Sequence, residues 1–140
     1  FEARFSIEPY LADLAAFRAT QEDLKTIEKI LEETKDCLHF EELTADIFHG
    51  FEKLDSQFHY QIALAAKNSF LLRVIDIINS VRLEKLWGTL KERSLTKERM
   101  NIYYKDHCDI FNAIKERDKK KAAHFSLVHL KRVRNNMLGE

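Results

Sequence analysis

One aspartate and three histidines lie on the apolar faces of predicted helices. Asp55 and His59 are four residues apart, so they share one face of a helix. The same periodicity places His107 and His129 on the apolar stripes of two later helices. A single inward histidine is usually a hydrogen-bonded core residue, but four such residues on three helices favour a ligand set, because buried charges must be paired or metal-bound. The sequence therefore predicts a divalent metal site between helices.

Other chemistries have little support in the sequence. A ferritin-like di-iron centre uses E-x-x-H motifs, and none occurs here. Cys108 directly follows His107, and adjacent helical residues do not face each other, so a Cys–His catalytic pair is not expected. We expect His39 and His124 to be exposed to solvent.

The composition limits the fold that positions these residues. The chain has 140 residues, of which 45% are hydrophobic and 33% charged, with only three glycines and one proline. So few turn residues argue against an all-β fold, and the apolar fraction argues against disorder. Helical periodicity along the chain predicts an all-α antiparallel bundle of six or seven helices. The predicted helices cover about residues 7–18, 21–36, 41–49, 52–67, 69–93, 97–117 and 119–138.

Several polar residues and glycines mark the predicted helix ends. Thr20, Asn68, Thr96 and Asp118 are good N-caps, because their side-chain oxygens can accept a backbone N–H bond. Gly50 is expected to end a short helix, and Gly139 to end the last helix. Pro9 is expected in the first turn of the first helix, and the polar stretch 91–98 is predicted to be a loop.

Charge and hydropathy restrict the setting. The net charge is zero, which argues against a domain that binds DNA by itself. No apolar run approaches 18 residues, so no membrane span is predicted. Two cysteines 71 positions apart cannot form a zinc finger or a disulfide framework, and a cytoplasmic location is expected. The chain starts at Phe1, so we expect it to be a fragment or one domain of a longer protein.

A series of short motifs gives the chain a family resemblance. In order and spacing they resemble the FCD domain, the C-terminal effector domain of FadR-type regulators in the GntR family of bacterial transcription factors. The motifs are E-x-R (Glu2–Arg4), I-E-P (Ile7–Pro9), L-A-A (Leu14–Ala16), D-x-x-F-H (Asp55–His59), A-A-x-N (Ala65–Asn68), H-x-x-I-x-x-A-I (His107–Ile114), D-x-x-x-A (Asp118–Ala122) and H-L (His129–Leu130).

The resemblance implies a function for residues 1–140 as one ligand-binding and dimerisation domain. In such regulators a winged helix-turn-helix domain precedes the FCD domain and binds operator DNA; it is absent from this chain. In the metal-binding branch of the family one Asp and three His hold a divalent ion, and they match Asp55, His59, His107 and His129. A small carboxylate effector then completes the metal shell. Homodimers are expected, because operators are usually two-fold symmetric.

Three further residues are candidate effector ligands. Arg4 and Arg82 can pair with a carboxylate, although Arg82 can equally form a salt bridge to an acidic neighbour and Arg4 can be a surface residue. Asn68 can donate to the effector or serve as an N-cap. Zinc is the first choice of metal, and nickel, manganese or iron also suit three His and one Asp. We expect no enzyme activity; a metal-dependent hydrolase and a purely structural helical domain are the alternatives.

Overall fold

A computed structural model describes residues 1–139 of the chain. Within these residues helices are the only regular secondary structure and there is no β-strand, which confirms the predicted all-α fold. Short connections join the seven helices, and the longest of these connections spans residues 38–44. The helices are α1 (Glu2–Arg18), α2 (Gln21–Cys37), α3 (Ala45–Ala65), α4 (Ser69–Arg82), α5 (Lys85–Ser94), α6 (Lys97–Lys115) and α7 (Lys119–Leu138).

The predicted N-caps are confirmed. Thr20 and Asp23 form a reciprocal capping box at the start of α2. Asn68, Thr96 and Asp118 each accept a hydrogen bond from the backbone N–H three residues ahead. Gly139 ends α7 at a φ of 73°, a left-handed conformation that glycine adopts without a steric penalty.

Two predicted helix boundaries in the N-terminal half are wrong. Gly50 does not end a helix, because α3 runs through it without interruption. The cost of a helical glycine is about 1 kcal/mol relative to alanine, and the burial of Phe48 and Phe51 on either side of it outweighs that cost. Pro9 lies inside α1, not in its first turn. Its missing N–H removes one backbone bond, and the helix continues because α1 packs extensively against α7.

Two further boundaries differ in the segment 69–98. The predicted single helix is divided into α4 and α5 by a turn at residues 83–84, where the N–H of Glu84 bonds to the carbonyl of Val81 at 3.0 Å. The predicted loop 91–98 is mostly helical: α5 extends to Ser94, and only residues 95–96 connect it to α6. As a result, Lys91 lies on a helix and is buried.

Helix α1 is central and contacts α3, α4, α6 and α7. Its buried alanines, Ala12, Ala15 and Ala16, allow neighbouring helices to approach closely. Helix α2 packs on α3 and α6, while α5 packs on α7 and α4. Three apolar clusters form the core, and they include Phe58, Tyr103 and Leu11 respectively. The four predicted metal ligands lie between α3, α6 and α7, next to these clusters.

None of the helices in residues 1–139 is both long and apolar enough to cross a bilayer.

Candidate metal centre

The structure brings together the four residues predicted as metal ligands. Helix α3 provides Asp55 and His59 from successive turns, α6 provides His107 and α7 provides His129. Asp55, His107 and His129 are at most 3% exposed, and the side chain of His59 is 9% exposed. One ligand atom from each residue lies within 4.8 Å of the others.

The distances between these atoms suit a shared ion. The Nε2 atoms of His107 and His129 are 3.1 Å apart, and Asp55 Oδ1 lies 3.4 Å from His107 Nε2 and 3.9 Å from His59 Nε2. Four atoms arranged tetrahedrally at about 2.1 Å from one ion are separated by about 3.4 Å. Within residues 1–139, Asp55 Oδ1 and His59 Nε2 are buried and make no hydrogen bond. Buried polar atoms without partners are costly, so these two atoms support a cation at this point.

Two carboxylates orient two of the imidazole rings. Glu8 Oε1 lies 3.2 Å from His59 Nδ1, and Asp106 Oδ2 lies 3.1 Å from His129 Nδ1. A carboxylate accepts a hydrogen bond from Nδ1–H, which leaves Nε2 with a free lone pair directed at the cluster. The ring of His107 is held differently: it stacks on the Phe58 ring with centroids 4.1 Å apart. Sequence analysis did not identify Glu8 or Asp106 as site residues.

Burial controls the protonation of the histidines. It lowers the pKa of His129 to about 4, although the hydrogen bond with Asp106 opposes this shift. Burial also holds the pKa of His107 well below its ordinary value, and the neighbouring His129 adds to the effect. Both rings are therefore neutral at pH 7, which is the form that binds metal ions.

The acidic ligand is kept ionised by cations. Burial alone would raise the pKa of Asp55, but the charges of Lys91 and Arg82 outweigh it and hold the pKa well below the ordinary value. Arg82 Nη2 lies 2.5 Å from Asp55 Oδ2, so the other oxygen, Oδ1, remains directed at the histidines. The site thus presents one carboxylate and at least two neutral imidazoles, a donor set that fits a divalent ion such as zinc.

The structure separates the three predicted effector ligands. Arg82 is bonded to Asp55, and Arg4 is buried and paired with Glu8 one turn ahead of it on α1. Both arginines therefore lie beside the cluster. Asn68 caps the N-terminus of α4, where its Oδ1 accepts from the N–H of Leu71 at 3.0 Å. Because α4 is about 20 Å long, Asn68 is remote from Arg82 at its opposite end.

A second ion pair lies next to the cluster. Lys91 is 2% exposed, and its Nζ lies 3.7 Å from Glu52 Oε1 and 5.0 Å from the centre of the Tyr103 ring. A groove of about 520 Å³ opens to solvent between α3, α4 and α5, and Glu52 and Arg82 are part of its lining. One residue of each ion pair, Glu52 and Arg82, thus borders a groove that is open to solvent.

The remaining histidines are away from the cluster. His39 and His124 are exposed, as predicted, and His49 is exposed as well. His49 lines the groove near Glu52.

Comparison with protein families identifies the family of this chain. The model of the FCD domain matches residues 1–132. The chain belongs to the FCD family. It is an effector-binding domain of the kind found in GntR-family transcriptional regulators, as the family resemblance predicted.

Curated relatives of this FCD domain are transcriptional regulators. It is 30% identical over 144 residues to the HTH-type transcriptional regulator LutR of Bacillus subtilis, with 99% of this chain and 60% of LutR covered. It is 25% identical over 134 residues to the Uxu operon regulator of Haemophilus influenzae, with 95% of this chain and 48% of that regulator covered. The chain thus spans about half the length of these relatives.

Solved structures with the same fold include two bacterial proteins. Streptococcus agalactiae GntR is 25% identical, with a TM-score of 0.70 over 96% of this chain and 55% of that one. E. coli McbR/YncC is 16% identical, with a TM-score of 0.82 over 99% of this chain and 62% of that one. The second likeness shows the fold alone.

Proposed function

We propose that this FCD domain binds one divalent metal ion through Asp55, His59, His107 and His129, and senses a small carboxylate at that ion. The main support is the convergence of four ligand atoms within 4.8 Å, two of which are buried without a hydrogen bond in residues 1–139. Zinc fits this donor set first, and nickel, manganese or iron also suit it. A bound divalent ion supplies a Lewis-acid anchor for a carboxylate oxygen.

The charge balance favours an anionic effector. The four ligands carry one formal negative charge, that of Asp55, and His107 and His129 are neutral. A divalent ion held by the four ligands leaves a positive centre in a buried site, where an uncompensated charge is costly. A bound carboxylate lowers that cost. Arg4 and Arg82 lie beside the cluster and are the proposed second contacts for the effector.

The regulatory role is also a proposal. The relatives are about twice as long as this chain, and LutR is named as an HTH-type transcriptional regulator. We propose that the domain transmits effector binding to a DNA-binding domain in a full-length cytoplasmic regulator, and that it has no enzyme activity of its own. Operator DNA is then contacted through that other domain.

Elemental analysis tests the metal site directly. Purified protein is expected to contain one equivalent of metal, and His107→Ala to lose it. His124→Ala is the matched control, because His124 is an exposed histidine outside the cluster. Full metal content in His107→Ala would contradict the assignment. Calorimetry of carboxylate binding before and after metal removal tests the second step, and undiminished affinity in stripped protein would contradict it.

A homodimer is proposed with α4, the turn after it and the start of α5 at its interface. Large apolar side chains there face solvent: Ile77 is 65% exposed and Leu83 is 88% exposed, with Phe70 and Leu86 also exposed. Exposed apolar patches of this kind mark interaction surfaces. Arg73 and Asp76 are exposed on the same helix, so a two-fold arrangement can pair opposite charges. Sedimentation is expected to show a dimer that Ile77→Asp dissociates, and a monomeric wild-type protein would contradict the proposal.

A further inference from the structure

Lys91 is a buried cation with a weak partner. Its side chain is 3% exposed, and burial of an ammonium group is costly unless a counter-ion compensates it. Its Nζ lies 3.7 Å from Glu52 Oε1, whereas a charge-assisted hydrogen bond to a carboxylate is about 2.8 Å long. Glu52 Oε1 makes no hydrogen bond within residues 1–139. The ion pair therefore leaves Lys91 available for a stronger anionic partner.

Lys91 lies near the metal ligands. Its ammonium group lies over one face of Tyr103, and the Tyr103 ring meets the ring of His129 edge-on at a centroid distance of 5.6 Å. Its partner Glu52 is one helical turn from Asp55 on α3. The buried ammonium group is thus directed inward from α5 towards the ligand cluster.

Two other buried donors lie on the same side of the site. Arg82 Nε and Trp87 Nε1 are buried and make no hydrogen bond with any residue in 1–139. The Arg82 side chain is 6% exposed, and Trp87 precedes Lys91 by one turn on α5. Buried donors without partners on α4 and α5 indicate that this side of the site is suited to an acceptor group.

The charges around the metal ligands indicate how many negative groups the site accepts. Three cations, Arg4, Arg82 and Lys91, are each paired with one carboxylate, on Glu8, Asp55 and Glu52 respectively. These pairs cancel, so a bound divalent ion leaves a charge of about +2. A monocarboxylate neutralises half of that charge, whereas a dianion neutralises all of it.

We propose that Lys91 anchors a second carboxylate of the effector, so that the domain selects dicarboxylates over monocarboxylates. This inference rests on the proposed function, in which the first carboxylate binds at the metal. Arg82 Nε and Trp87 Nε1 supply further donors to the second carboxylate.

Glu52 is suited to give up its contact with Lys91. Its side chain is 20% exposed and lines the solvent groove, so the displaced carboxylate can turn to water. Burial raises the pKa of Glu52 in spite of the opposing charge of Lys91, which shows that its ionised form is poorly stabilised where it lies. When an effector carboxylate replaces Glu52 as the partner of Lys91, the carboxylate of Glu52 no longer has to remain in this unfavourable position.

The test compares succinate with butyrate, two four-carbon acids that differ by one carboxylate. Calorimetry on zinc-loaded wild-type protein is expected to show at least tenfold tighter binding of succinate, a difference of about 1.4 kcal/mol. Lys91→Met replaces the ammonium group by an apolar chain of similar length, and is expected to bring the ratio of the two affinities close to one. Lys85→Met, an exposed lysine on the same helix, is the matched control and is expected to keep the wild-type ratio.

The outcomes separate this inference from the proposed function. Equal affinities in the wild type, or an unchanged ratio in Lys91→Met, would overturn the role of Lys91 and leave metal-dependent carboxylate binding intact. Binding of neither acid to zinc-loaded protein would overturn both. If Lys91→Met does not fold, Glu52→Gln provides the second measurement: it retains Lys91 and removes its competitor, so it is expected to tighten succinate binding, and weaker binding would overturn the proposal.

Discussion

Asp106 offers the sharpest test of how the metal centre is organised. Its Oδ2 accepts from His129 Nδ1 at 3.1 Å and from Arg132 Nε at 3.0 Å. The hydrogen bond fixes the proton of His129 on Nδ1 and the lone pair on Nε2, where a metal ion needs it. Asp106→Asn keeps the size of the side chain but removes the charge that selects this tautomer.

The expected effect is on metal affinity more than on folding. Loss of a carboxylate that orients a ligating histidine weakens metal binding by about 10- to 100-fold, which corresponds to about 1.4–2.7 kcal/mol. The contribution of Asp106 to folding is smaller, because the side chain of Arg132 is 42% exposed and such pairs are worth about 1 kcal/mol or less. The variant should therefore fold and lose metal selectively.

A chelator competition assay at pH 7 measures this directly. The zinc affinity of Asp106→Asn is compared with that of the wild type and of Asp109→Asn, a matched control on the next turn of the same helix. Urea unfolding of metal-stripped protein separately measures the effect of the substitution on the free energy of unfolding. A zinc affinity in Asp106→Asn within twofold of the wild type would refute the argument that this carboxylate sets the tautomer.

Three further predictions concern stability. Between pH 6.5 and about 4, His129 is protonated in the unfolded chain but not in the folded chain. The stability of metal-stripped protein is therefore full above pH 6.5 and falls by about 3 kcal/mol as the pH drops through that window. Urea midpoints at pH 7.5 and 5 measure this change, and equal midpoints would contradict it. Thr20→Ala removes one side of the capping box and should lower the free energy of unfolding, measured in urea, by about 1 kcal/mol. Thr89→Ala on α5 is not a suitable control, because the Thr89 hydroxyl bonds to a backbone carbonyl. Gly50→Ala should raise stability by roughly 0.5–1 kcal/mol, because Gly50 is helical and an added Cβ meets no atom within 4 Å; a lower urea midpoint would contradict this.

The sequence predicted most of the fold because most helix boundaries carry local chemistry. Thr20, Asn68, Thr96 and Asp118 cap helices through their own side chains, which act within three residues and can be recognised without knowledge of the packing. The wrong boundaries lie where packing between residues distant in the sequence decides whether a helix continues or ends. Nothing local to Gly50 shows that α3 continues through it, and the break at residues 83–84 has no proline or glycine to mark it.

The same distinction applies to the site. The predicted metal ligands lie on apolar stripes, where a polar residue stands out against its neighbours. Lys91 lies in the polar stretch 91–98, so its burial depends on how α5 packs and could not be recognised from the pattern. Glu8 and Asp106 offered weaker signals. Glu8 is four residues after Arg4, which is the spacing of a helical ion pair, while Asp106 becomes a partner of His129 only when α6 and α7 are side by side.

The ion pairs around the cluster connect the site to the rest of the bundle through α3. Asp55 holds Arg82 at the end of α4, and Glu52 contacts Lys91 on α5. Both acidic residues lie on α3, one turn apart. Asp55 faces the histidines, and Glu52 lines the groove. An effector that takes over Lys91 or Arg82 therefore changes what holds α4 and α5 against α3. Those two helices also carry the exposed Ile77 and Leu86 of the proposed dimer surface. A ligand shifts an equilibrium only through contacts that differ between two states. Exchange of these ion-pair partners makes the contacts of α4 and α5 differ between the effector-free and the effector-bound domain. The exchange thereby links the effector site to the surface that is proposed to join two copies of the domain.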